Sequence, residues 1–404
     1  MLAGFETRGK DEMGKEGARW GAVLAIVGAG VVAALQVGKL IIAAPLLRKD
    51  LGLDLASIGA LAAVFSLLGM FGGIAAGGVI TRYGARRMLL AGLAATAAGA
   101  VLGAAAPTYG VLLASRVVEG LGFLMISVAG PAALQRMVSA SNRDFAFALW
   151  SCYMPAGMAI AMLASQAFGD WRAYWWCAGA AVAVALVSVA ALAPATPPGA
   201  RLSWRSLRQD TVDTVGAPGP GLLALSFTLY SLMFFALFTF LPVLLTEQLG
   251  LSLATAGLYS AIASAANVVG NLGAGMLLAR GWRRSTLIAC ASVAMGAVAL
   301  LIFRSVLPAM PTFLLCVLFS AVGGLIPATL LNTAPLLAPR PGLTAASVGL
   351  VMQGSNLGQV IGPLAVGGAI DRYGWTSASF IVAAAGLGGM LLAWRLRRLA
   401  AAGL

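Results

Sequence analysis

The sequence predicts an all-α membrane protein of twelve transmembrane helices, arranged as two parallel six-helix repeats. Four observations predict it. Of the 404 residues, 60% are hydrophobic and only 10% are charged, whereas soluble domains carry charge on about a quarter of their residues. Apolar runs of about 20 residues recur along nearly the whole chain, each long enough to cross a bilayer as a helix. The stretch Leu51–Arg87 also recurs without a gap, shifted by 198 positions, so that Leu51, Gly52, Leu53, Gly59, Ser66, Gly72, Gly77, Arg82 and Arg86 match Leu249, Gly250, Leu251, Gly257, Ser264, Gly270, Gly275, Arg280 and Arg284. A repeat of this length means two homologous halves. Finally, the basic residues collect on one face of the layout, as described below.

The elements follow in order. Residues 1–19 form a mixed-charge N-terminal tail with the composition of a disordered segment. Trp20 stands where an interfacial anchor belongs and opens span one, which runs to about Leu47. The next spans fall near 55–80, 88–106, 110–134, 144–168 and 173–193, completing a first bundle over 20–193. The Pro- and Arg-rich segment 194–220 is the one long polar interruption and reads as the linker. Spans seven to twelve lie near 221–245, 253–279, 286–304, 311–335, 344–370 and 376–394, giving a second bundle over 221–394 and a basic tail, 395–404. Pro131, Pro155, Pro327 and Pro363 suggest breaks in spans four, five, ten and eleven.

Twelve spans put both ends on one face. That face collects nineteen Lys and Arg residues; the opposite face has five, Arg48, Lys49, Arg172, Arg304 and Arg372. The bias places the ends and the linker in the cytoplasm, in a bacterial-type inner membrane. It also explains the net charge of +13 without nucleic acid, because the positives sit in short clusters between apolar spans. The first span is too long for a cleavable signal peptide. Cys152, Cys177, Cys290 and Cys316 all fall within spans and read as small buried apolar residues. Histidine is absent, which removes the usual proton shuttle and metal ligand. No metal site or cofactor is expected.

Six-plus-six topology, a parallel repeat and a central linker together resemble the major facilitator superfamily, over the whole chain. The most specific piece is the turn after span two, where Gly77, Arg82, Gly84, Arg86 and Arg87 fit the family motif G-xxx-D-R/K-x-G-R-R/K. Thr81 stands where the family carries Asp, and Ala85 interrupts the pattern. The resemblance implies a conformational latch between the halves at these residues, with Arg280 in the second copy, and the missing Asp weakens its charge. Arg116, Gly120 and Gly122 are similar to a signature in span four whose Arg is associated with substrate or proton coupling. Asp371–Trp375 looks like the family turn before span twelve, read here as an anchor. Trp150–Gly157 replaces the drug-antiporter signature of span five, which weighs against a proton-driven drug exporter.

Only Lys39, Arg116 and Glu119 are ionisable well inside the spans. Such charges are costly in lipid and mark functional sites. Arg116 and Glu119 are spaced i,i+3 and can pair on one helix face, which leaves Lys39 to snorkel or to meet a ligand. The family layout puts spans one and four on the central cavity, so the three are expected to share one wet pocket carrying one net positive charge. Gln36, Tyr153, Tyr230, Asn267 and Asn356 are candidate substrate contacts beside Lys39 and Arg116, with Asn271, Gln353 and Gln359 at similar depths. Each polar residue alone is more often an interhelical hydrogen bond.

These readings imply a secondary transporter of a small carboxylate or inorganic anion, working by alternating access and directed inward. It has a loose likeness to cyanate-type and other small-anion carriers but no signature of that branch. Glu119 with Arg116 is the expected proton-coupling element. The alternative is an exporter of hydrophobic or cationic compounds with the same fold. The lack of a catalytic constellation weighs against an enzyme, the lack of a phosphate-binding loop against ATP drive, and the lack of a long soluble domain or extended tail against a sensor. Expected partners are a small-molecule substrate, a coupling proton and the lipid bilayer, with no nucleic acid, and the chain is expected to act as a monomer.

Overall fold

The structure is a computed structural model that describes residues 3–53, 55–164, 168–195, 204–304 and 307–401. Residues 196–203 of the expected linker, Arg201 among them, and residues 402–404 of the tail lie outside the described residues.

Among the described residues every regular element is a helix. Span one is Ala3–Leu51, span two Leu55–Tyr83, span three Ala85–Ala104 and span four Tyr109–Met137. Span five is made of two pieces, Arg143–Ser151 and Tyr153–Ala164, and span six is Trp171–Leu192. A linker helix, Trp204–Gly216, precedes span seven, Pro218–Val243, which closes in a π turn, Leu244–Gln248. Span eight is Leu253–Ala279 and span nine Arg284–Ile302; span ten is again in two pieces, Ala309–Gly323 and Leu325–Thr333. Spans eleven and twelve are Thr344–Tyr373 and Trp375–Ala401.

Eleven of these spans are long and apolar enough to cross a membrane. The exception is span eleven, which has 30 residues but carries Gln353, Ser355, Asn356 and Gln359 through its middle. These polar groups turn to protein and not to lipid: Gln353 Nε2 donates to the Met70 carbonyl at 2.9 Å, and Ser66 Oγ reaches Gln359 Oε1 at 3.4 Å. In lipid, a helix buried against others can afford what a lipid-facing one cannot.

Three expectations are corrected here. The stretch before Trp20 is helical and continuous with span one. Extending an existing helix needs no new nucleus. Of the four prolines, only Pro155 and Pro327 accompany breaks, at Cys152 and Gly324; spans four and eleven run unbroken through Pro131 and Pro363. Pro155 and Pro327 lack the N–H that the carbonyls of Ser151 and Gly323 would need. Cys152 and Cys316 are buried, but Cys177 and Cys290 are exposed, on helix surfaces where lipid serves an apolar thiol as well as protein does.

The repeat is visible in the backbone. Gly52 and Gly250, equivalent under the 198-residue shift, both take left-handed φ, 65° and 66°, at the turn before spans two and eight. Only glycine adopts that conformation without strain.

The halves meet along two seams. Span two packs on span eleven, and span eight packs on span five. Glycines set the approach of the first seam: a Cβ on Gly73 would run into the Gly349 carbonyl, and one on Gly77 would meet the Ala345 carbonyl. In the second seam, Gly275 lies against Ala148 and Ser264 Oγ reaches the Pro155 carbonyl at 3.5 Å. Both seams run from mid-membrane toward the face that carries the chain ends. At that face Asn332 Nδ2 donates to Asp144 Oδ1 at 2.5 Å, and Arg284 stands 3.9 Å from the same carboxylate.

Candidate functional site

The polar candidates separate into two places. The first is a charge cluster inside the first half. Glu119 on span four accepts from Lys39 Nζ on span one at 2.6 Å and from Arg116 on its own helix at 2.6 Å. Lys39 also donates to Gln36 Oε1 at 2.5 Å, and Gln36 Nε2 reaches the Ala178 carbonyl of span six at 3.4 Å. Arg116 donates to the Gln36 carbonyl at 2.8 Å and to the Leu61 carbonyl of span two at 3.4 Å. Span three closes the arrangement, since Gly99 sits so near Glu119 that an added Cβ would lie 2.6 Å from its Cγ.

Gln36, Lys39, Arg116 and Glu119 are all 0% exposed. The two cations are capped by ring faces, Lys39 by Trp175 at 4.4 Å and Arg116 by Phe65 at 4.1 Å, which attract positive charge. The i,i+3 pairing of Arg116 with Glu119 is as the spacing suggests. Lys39 is not left alone, however; one carboxylate serves both cations.

The second place is a central cavity between the halves, about 560 Å³ including its open mouth. Tyr153, Tyr230, Asn267 and Asn356 line it; Gln36, Lys39, Arg116 and Glu119 do not. The expectation of one shared wet pocket therefore fails in this conformation. Two rings form the partition. Phe65, which caps Arg116, lies 5.6 Å from Phe123, and Phe123 lies 6.4 Å from Tyr153. The charges stop at Phe65, and the cavity begins at Phe123.

The cavity owes its character chiefly to span seven. Phe227, Tyr230 and Phe234 line it at helical spacing, with ring centroids 5.9 and 5.9 Å apart, and Phe238 continues the stripe beyond the lining, 4.3 Å from Phe234. Tyr230 is fixed by Asn267 Nδ2, 3.1 Å from its hydroxyl; Asn267 also donates to the Ser320 carbonyl at 2.8 Å and accepts from Asn271 at 2.8 Å. Neutral polar groups complete the lining: Ser151, Ser231, Ser355, Asn356 and Gln359. The lining includes no lysine, arginine, aspartate or glutamate. Asn356 donates to the Met352 carbonyl at 2.7 Å, while its Oδ1 is buried without a donor. The sequence reading missed the phenylalanines; their i, i+3 and i+4 stripe on span seven was the available signal.

The latch residues are spread around the face that carries the chain ends. Gly77 supports the seam to Ala345, and Gly84, with φ 88°, forms the turn into span three. Arg86 donates to the Ala190 carbonyl of its own half at 2.7 Å, Arg82 lies 5.9 Å from the Tyr83 ring, Arg87 is exposed, and Arg280 ends span eight. Thr81 Oγ1 bonds back to the Gly77 carbonyl at 3.0 Å. The contact of Asp144 with Asn332 and Arg284 was not foreseen, because nothing local to Asp144 marks a partner 188 residues away.

This geometry has known counterparts. The family model of the Major Facilitator Superfamily matches residues 26–353. Puromycin resistance protein pur8 of Streptomyces alboniger is 27% identical over 215 residues, 52% of this chain and 42% of that protein, so the match spans less than half of the relative's length. The crystal structure of the human organic anion transporter MFSD10 (TETRAN) has the same fold, with a TM-score of 0.76 and 16% identity over 92% of this chain and 99% of that one. Two six-span halves around a central cavity, matched by the family model over most of the length, place this chain in the Major Facilitator Superfamily, whose members are transporters and not enzymes.

Proposed function

We propose that the protein exports an amphipathic organic solute with aromatic character and at least one hydrogen-bond donor, bound in the central cavity. The observation that carries this is the lining itself, which is rings and neutral polar groups with no lysine or arginine. A small carboxylate would leave water for a site offering no cation, a transfer that is strongly unfavourable. Ring faces supply dispersion to an aromatic solute and attract a cationic one. The unpaired Oδ1 of Asn356 would accept from a solute's N–H or O–H group. Similarity to a puromycin resistance protein over half the chain supports the same reading. The small-anion reading that the sequence favoured needs the Lys39 cluster to open past Phe65 and Phe123.

The bias of nineteen basic residues against five supports cytoplasmic chain ends in an inner membrane. With that orientation, seams closed toward the end-bearing face make this the outward-facing conformation.

Coupling, in this account, runs on Lys39. The sealed cluster holds two cations and one carboxylate, a net charge of +1. Loss of the proton from Lys39 Nζ leaves the neutral Arg116–Glu119 pair, so that is the step low-dielectric burial tolerates.

The test is efflux from proteoliposomes, with puromycin and a hydrophobic dye against formate and cyanate. Efflux of the aromatic compounds that Tyr230→Ala and Phe234→Ala abolish would support the proposal. Transport of the anions alone would refute it.

A further inference from the structure

A separate cleft lies between the halves on the face that carries the chain ends. Its walls are Thr81 at the end of span two, Gln135 and Arg136 in the last turn of span four, Arg143 at the start of span five, and Thr344 with Ala345 from the second half. It encloses about 770 Å³ including its open mouth, and no carboxylate lines it.

Two arginines thus share one cleft without a counter-charge. Among the described residues, neither Arg136 nor Arg143 has an ion-pair or hydrogen-bond partner, and Arg143 Nε is buried without an acceptor. Asp144 next along the chain is committed to Asn332 and Arg284. The Thr81 hydroxyl already bonds to Gly77 and brings no charge. Like charges in a confined cleft repel, and an anion between them reverses the sign of the interaction. The planar guanidinium fork matches the oxygens of a phosphate group. Basic pockets between transmembrane helices near the membrane surface suit anionic headgroups.

We propose that this cleft binds a phosphate group, either free or as the headgroup of an anionic phospholipid. Because its walls come from both halves, the occupant ties them together and favours the closed state of this face, by binding that state better than the open one.

The test measures the melting temperature of the purified full chain at constant ionic strength, in two arms. One adds inorganic phosphate in detergent; the other compares vesicles of phosphatidylglycerol with vesicles of phosphatidylcholine. A rise of a few degrees in either arm, lost in Arg136→Gln/Arg143→Gln, supports the site, and the responding arm names the source. Thr81→Asp, which builds a carboxylate into the same cleft, should raise the melting temperature without any ligand and cancel the response. No rise in either arm, or a rise that persists in both the double variant and Thr81→Asp, overturns the proposal. Should the double variant fail to fold, Thr81→Asp alone decides: a response to phosphate unchanged from the parent chain rejects the site.

Discussion

The two halves descend from one repeat but solve the problem of buried polarity in opposite ways. The first half concentrates charge, with Lys39, Arg116 and Glu119 in one sealed cluster that draws spans one, two, four and six together. Among the described residues the second half has no counterpart to it. At its centre Tyr230, Asn267, Asn271 and the Ser320 carbonyl form a neutral hydrogen-bonded network, and that network faces the cavity. The lesson is a division of labour: charge ties the spans of one bundle together, while rings and amides of the other form most of the cavity lining. A charge open to the cavity would select ions, whereas a charge sealed behind Phe65 leaves selectivity to shape and ring faces.

The sharpest way to break this comparison is Glu119→Gln. It leaves two buried cations with no carboxylate, and losing one partner of a buried ion pair costs about 3–5 kcal/mol. The variant is expected to lose most folded protein on size-exclusion chromatography. Lys39→Met, which leaves a neutral pair, should stay folded. Equal loss in both would mean that charge balance is not what the cluster provides.

Asn267→Ala probes the second half. It strands the Tyr230 hydroxyl, while the Ser320 carbonyl keeps the Gly324 N–H at 3.0 Å; an unsatisfied buried polar group costs about 1–3 kcal/mol. A lowered melting temperature, with folding retained, is expected; a drop as large as that of Glu119→Gln would erase the distinction between the halves.

The smallest effect belongs to the edge of the first half. The Asp50 carboxylate accepts from Arg172 and, at 3.0 Å, from Trp171 Nε1. Arg172, then Trp171, hold its carboxyl below the usual range. A lowered folded-state pKa gives stability that is present above the unfolded carboxylate value and fades as pH falls through the lowered one. The Asp50 and Arg172 side chains are both open to solvent, 45% and 35% exposed, which keeps the contribution small. Asp50→Asn should lower stability slightly at neutral pH and leave it unchanged in strong acid, which flattens the acid limb. A loss at neutral pH as large as that of Asn267→Ala would contradict a merely peripheral role.

The fold was legible because its signals are additive: apolar length, an ungapped repeat and the Lys/Arg bias each point to the same twelve spans. The charged residues were legible singly, since any ionisable side chain in an apolar run stands out. Their grouping was legible only where it was local. Spacing reveals Arg116 with Glu119, but Lys39 lies 80 residues from Glu119, and only packing joins them. The cavity was the least legible part. Span seven is apolar on every side, so no polar face shows which of its rings turn inward, and the partition at Phe65 and Phe123 exists only once spans two and four are packed. Proline misled as well, because Pro131 and Pro363 lie inside unbroken helices and nothing local in the sequence separates them from Pro155 and Pro327.

The central claim is that the ring-lined cavity, and not the charge cluster, binds the solute. Equilibrium binding of puromycin and of formate to detergent-purified wild type, Tyr230→Ala and Lys39→Met tests it most directly. The account predicts puromycin affinity that falls about tenfold in Tyr230→Ala, a change of about 1.4 kcal/mol, and stays level in Lys39→Met, with no formate binding. Formate binding that vanishes in Lys39→Met and survives Tyr230→Ala would contradict it.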